Sequence, residues 1–71
     1  MENSESDNYI SNALIIASKN NNFYLVKVLV CHGADINFCN GLALQIASEF
    51  GYIDIVKYLV ENGASGSEAI N

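Results

Sequence analysis

Apolar residues recur along this chain at helical spacing. Leu44 and Ala47, followed by Ser48, stand at i, i+3 and i+4, and Ile55, Val56, Leu59 and Val60 repeat the pattern. A stripe of this kind gives a helix one apolar face. The same stripe occurs earlier, displaced by thirty residues. Laying positions 13–37 over 43–67 aligns eleven identities in twenty-five positions without a gap: Ala13/Ala43, Leu14/Leu44, Ile16/Ile46, Ala17/Ala47, Ser18/Ser48, Val26/Val56, Lys27/Lys57, Leu29/Leu59, Val30/Val60, Gly33/Gly63 and Ala34/Ala64. Phe23/Ile53, Leu25/Ile55 and Val28/Tyr58 keep apolar character. The chain is therefore two copies of one unit, each a short helix, a tight turn and a second helix.

This pattern predicts an all-α fold with four helices near 11–19, 23–32, 41–49 and 53–62. The expected organisation is a polar acidic N-terminal tail over 1–9, a first repeat over 10–37, a second over 38–66 and a short C-terminal tail over 67–71. Turn chemistry supports it. Gly51 falls between the helices of the second copy, where positive φ is needed, and its counterpart Asn21 is the non-glycine type that best tolerates that conformation. Gly33 and Gly63 suit the positive-φ residue after a helix end. Asn12 and Asn40 are the expected N-caps of the first and third helices. The predicted core is Leu14, Ala17, Val26, Leu29, Val30, Leu44, Ala47, Val56, Leu59 and Val60.

His32-Gly33-Ala34-Asp35-Ile36-Asn37 resembles the H-G-A-D-x-N segment that closes an ankyrin repeat. Gly51-Tyr52-Ile53-Asp54-Ile55-Val56-Lys57-Tyr58-Leu59-Val60 is similar to the G-H-x-x-I-V-x-x-L-L helix of that family. The resemblance covers roughly residues 10–66. It departs from the family at the T-P-L-H opening, replaced by Asn12-Ala13-Leu14-Ile15 and Leu42-Ala43-Leu44-Gln45. The repeat is also shorter, with the deficit in the loop Phe38–Gly41, so little or no β-hairpin is expected there. Short Asn- and Ile-rich repeats of this kind resemble the ankyrin arrays of mimivirus-type giant DNA viruses. The resemblance implies a solenoid of two helix–turn–helix repeats and a non-enzymatic protein–protein interaction module. The alternative is a self-associating chain, or a fragment of a longer array with a mainly structural role, whose uncovered repeat ends stack.

By the same resemblance, Glu49 and Phe50, with Lys19 and Asn20 as the matching pair in the first copy, occupy positions that line the concave face of such modules. Phe38, Cys39 and Asn40 form the loop tip on that side. These seven are the candidate partner-binding residues. Phe50 has two readings: an exposed aromatic anchor, or a ring packed against Tyr52 or the neighbouring repeat.

Charge narrows the partner class. Eight Asp and Glu against three Lys give a net charge of −5, with no Arg. Nucleic-acid binding draws on clustered cations that displace phosphate counterions, so no nucleic-acid partner is expected. Four of the negative charges, at Glu2, Glu5, Asp7 and Glu68, belong to the ends. No apolar run reaches the roughly 20 residues of a membrane span. The opening MENSESDN lacks the basic and apolar regions of a signal peptide, and the expected location is the cytoplasm (of the host cell if viral). Cys31, His32 and Cys39 lack the four-ligand spacing of structural zinc, so no metal is expected. His32 is the only histidine, no Gly-rich loop opens a helix, and neither catalysis nor a cofactor is expected.

Overall fold

The computed structural model describes residues 4–63, with side chains from Asn8 onward. Four helices follow in order: α1 (Ser4–Lys19), α2 (Phe23–Cys31), α3 (Phe38–Phe50) and α4 (Ile53–Glu61). No strand occurs among the described residues. α1 packs on α2 and α3 on α4 within the repeats, while α1 meets α3 and α2 meets α4 across the seam between them.

The two turns inside the repeats are built alike, bond for bond. Asn21 takes φ 57° and Gly51 φ 75°. The Asn22 N–H donates to the Ala17 carbonyl and the Tyr52 N–H to that of Ala47, each at 2.9 Å. Asn22 Oδ1 then accepts from the Leu25 N–H at 3.2 Å and caps α2. α2 and α4 both end before a glycine with positive φ, Gly33 at 101° and Gly63 at 114°, which releases the helix as expected.

Two helix starts differ from the sequence expectation. α1 begins at Ser4 rather than near residue 11, so residues 4–9, assigned to the tail, are helical and Asn12 lies inside the helix instead of capping it. Residues 1–3 of that tail and the C-terminal segment 67–71 lie outside the described residues. At the start of α3, Cys39, Asn40 and Gly41 all take positive φ (56°, 59° and 73°), so a left-handed turn precedes the regular helix. Asn40 contributes its backbone carbonyl there, accepting from Gln45 Nε2 at 2.9 Å, and is not a side-chain cap. The Gly41 N–H closes the turn on the Asn37 carbonyl at 3.0 Å. This turn takes the place of a hairpin in the shortened loop.

Loops are tied to helices by side chains. Ser11, buried in α1, accepts at Oγ from the Asp35 N–H at 2.9 Å. Asp35 Oδ1 in turn accepts from the Asn37 N–H at 3.0 Å. Asn37 Nδ2 donates to the Gly63 carbonyl at 3.2 Å, joining the segment before α3 to the turn after α4.

The core is Leu14, Ala17, Val26, Ala34, Ile36, Ala43, Ala47, Ile55 and Leu59. Of the predicted core, Leu14, Ala17, Val26, Ala47 and Leu59 are buried, whereas Leu29, Val30, Leu44, Val56 and Val60 are half-buried. Ala43 and Ile55 take their place. The reason is positional: each repeat has one face on the seam and one facing away from it.

Candidate partner-binding surface

The first helix of each repeat carries the outward face expected to meet a partner. Tyr9 and Ile16 on α1, with Asn20 just past its end, stand at i, i+7 and i+11, close to one helical stripe. On α3, Leu42, Ile46 and Phe50 form the matching stripe after the left-handed turn. Tyr9 is 72% exposed, Ile16 57% and Phe50 54%, and Leu42 and Ile46 are half-buried.

The seven candidate residues divide into two groups. Lys19 ends α1 and Asn20 follows it, Glu49 and Phe50 end α3, and all four are exposed. Phe38, Cys39 and Asn40 stand at the opposite end of α3, roughly 15 Å away along a helix of that length. Phe38 is half-buried, and Cys39 and Asn40 are exposed. They are held by the left-handed turn, which Cys39 and Asn40 enter at the steric cost any side chain meets there. Ile46 lies between the two groups along α3, and Ile16 is its equivalent on α1. The sequence carried their signal: an identical pair, three residues before Lys19 and Glu49, off the register of the buried positions.

Phe50 is both exposed and packed. Its ring packs edge-to-face on Tyr52, with centroids 5.5 Å apart and an interplanar angle of 82°, and the rest stays in solvent. Tyr52 donates its hydroxyl to the Lys19 carbonyl across the seam at 3.2 Å. The chain of contact therefore runs from the last turn of α1 through Tyr52 to the exposed Phe50 ring.

The outer helices make a second aromatic crossing of the seam. Phe23 meets Tyr58 at 5.8 Å and 77°, and Lys27 Nζ lies 4.5 Å from the Phe23 ring centroid. Burial first, and then the neighbouring Cys31 thiol, push the Tyr58 phenol above its ordinary pKa. Cys31 and His32 are exposed at the end of α2, as the helix-end assignment expected. Among the described residues no three His, Cys, Asp or Glu side chains gather where they could hold a metal ion. No described helix is long and apolar enough to cross a membrane.

Two stacked helix–turn–helix units, each second helix followed by a positive-φ glycine and the two tied across one seam, define a helical repeat protein. A family profile described as ankyrin repeats (3 copies) matches residues 2–69, and the chain belongs to the ankyrin-repeat family. It is 49% identical over 37 residues to an ankyrin repeat protein of Acanthamoeba polyphaga mimivirus, covering 52% of this chain and 28% of that protein. It is 40% identical over 55 residues to the palmitoyltransferase AKR1 of Lachancea kluyveri, covering 72% of this chain and 8% of that protein. An ankyrin repeat and KH domain-containing protein of Caenorhabditis briggsae is 41% identical over 58 residues, covering 79% of this chain and 2% of that protein. The chain thus spans less than a third of the length of each of these relatives. No solved structure matches it at the same stringency.

Proposed function

We propose that this chain is a non-enzymatic, cytoplasmic module that binds a protein partner on the α1/α3 face, with Phe50 as the central anchor. Ankyrin repeats indicate protein–protein interaction. What supports this face is the Phe50 ring, half in solvent yet held by Tyr52, which is itself bonded to Lys19. A pre-positioned aromatic loses little side-chain freedom on binding and makes a strong anchor. Ile16 and Ile46 extend the apolar centre. Lys19 and Glu49 place one charge of each sign at its rim, where they select orientation more than affinity. Phe38, Cys39 and Asn40 form the far edge. The palmitoyl transfer named for the Lachancea kluyveri relative describes a protein of which this match covers 8%, and no group-transfer step is assigned to this chain.

The test is a partner captured from the native cell, followed by titration with variants. Phe50→Ala and Ile16→Asp are expected to weaken binding by roughly 30-fold or more, the scale of a hot spot. Tyr24→Ala removes an aromatic that is 74% exposed on α2 and should leave affinity unchanged. Equal losses from all three variants would reject the assigned face.

A further inference from the structure

The two ends of the stack are complementary to each other by the same displacement that relates the repeats. Across the internal seam Phe23 of repeat 1 meets Tyr58 of repeat 2. Leu14, Ser18 and Val26 form a first set with Phe23, and Ala43, Ile55 and Leu59 a covering set with Tyr58; these six are buried where their equivalents are not. The equivalents of the first set on the far side of repeat 2 are Leu44, Ser48, Ile53 and Val56. Leu44 and Val56 are half-buried, Ser48 is exposed and Ile53 is 63% exposed. The equivalents of the covering set, on the near side of repeat 1, are Ala13, Leu25, Val28 and Leu29, all half-buried. Each end therefore carries one half of the seam that already exists inside the molecule.

We propose that a second copy of this chain stacks head to tail on the first, the Ala13/Leu25/Val28/Leu29 face of one copy covering the Leu44/Ile53/Val56 face of the other, so that the internal seam is continued between molecules. Ile53 would then meet Val28 where Phe23 meets Tyr58. Direction follows from the seam itself: the internal contact pairs two different faces, Phe23 of one repeat against Tyr58 of the other, and a head-to-tail copy repeats that pairing. The groove beside Phe23 is lined by Asp54, Lys57, Tyr58 and Glu61. At the new junction the equivalents are Tyr24, Lys27, Val28 and Cys31, which removes both carboxylates and leaves a more apolar wall. A head-to-tail contact between different faces does not close on itself, so growth is open-ended.

Sedimentation equilibrium of the full 71-residue chain tests this from roughly 5 to 500 µM, a range over which mass action resolves weak association. The weight-average mass should rise past that of a dimer at the upper end. Ile53→Glu and Val28→Glu each block one face, and each alone should stay monomeric. Their equimolar mixture should form a dimer and stop, because one intact face of each kind remains. Ala13→Glu substitutes for Val28→Glu if circular dichroism shows the latter unfolded. A wild-type mass constant at the monomer value, a Val28→Glu protein that dimerises alone through like ends, or a mixture that stays monomeric would each overturn the proposal. Phe50→Ala lies on the other surface and should leave the mass profile unchanged, so this inference and the partner-binding reading fail separately.

Discussion

The two repeats hold the same residues at different depths. Leucine occupies positions 14 and 44, valine 26 and 56, and serine 18 and 48, yet only the first of each pair is buried. At 29 and 59 the order reverses: Leu59 is buried and Leu29 half-buried. The residues of each pair are the same, and the turns that follow α1 and α3 share their backbone hydrogen bonds. The neighbouring repeat makes the difference. In a stack where each unit touches only its neighbours, periodicity determines which side of a helix turns inward, and position in the stack determines how deeply it is covered.

Truncating the leucine pair gives the largest effect that can break this comparison. Leu59→Ala is expected to cost about 3–5 kcal/mol and Leu29→Ala about 1–2 kcal/mol, because a half-covered side chain forfeits less contact and leaves less cavity. Urea unfolding of dilute protein measures both, and a Leu59→Ala chain too unstable to fold beside a folded Leu29→Ala chain gives the same answer. Equal losses would mean that the repeats contribute symmetrically. If copies stack, Leu29 becomes covered, and its cost should grow toward that of Leu59 as protein concentration rises.

This asymmetry also marks how far the sequence could be read. α2 and α4 were legible to within a residue at their ends, because Asn21, Gly33, Gly51 and Gly63 punctuate them by backbone chemistry that needs no tertiary context. The start of α1 was not, because a polar stretch such as Ser4–Asn8 has no apolar register and reads as a tail. Identical pairs do not mark Ile55 as a core residue, because position 25 holds leucine where 55 holds isoleucine. For the candidate surface, Lys19, Asn20, Glu49 and Phe50 could be placed together because they end matching helices. The distance from them to Phe38–Asn40 follows from the length of α3, and the tie from Tyr52 to Lys19 joins residues thirty-three apart in sequence. No local pattern encodes such a contact.

A smaller difference should appear only in alkali, at the pair Val28/Tyr58. Tyr58 lies on the seam and Val28 on the open face. Burial and the Cys31 thiol raise the Tyr58 pKa in the folded state, so the folded chain holds that proton more tightly than the unfolded one. The resulting stability is fully present below the ordinary phenol pKa of about 10 and is lost as pH rises through the higher folded value. Unfolding midpoints from about pH 9 to 11.5 should therefore fall more steeply for the wild type than for Tyr58→Phe. Parallel curves would place Tyr58 in solvent and loosen the seam at its outer edge.

The smallest effect should come from the serine pair. Ser18 is buried, and its Oγ has no hydrogen-bond partner among the described residues. Ser48, at the matching turn of α3, is exposed. Alanine improves helix propensity by about 0.5 kcal/mol at either position, so the pair cancels that term. What remains is the desolvation of one buried hydroxyl, and Ser18→Ala should exceed Ser48→Ala in stability by about 1 kcal/mol. Paired thermal melts resolve a difference of that size in a chain this short, where about 1 kcal/mol shifts Tm by several degrees. If Ser18→Ala were instead the less stable of the two, the hydroxyl must be spending its proton on the Leu14 carbonyl one turn back, and the seam would hold a hydrogen bond where the comparison of repeats places only a desolvated group.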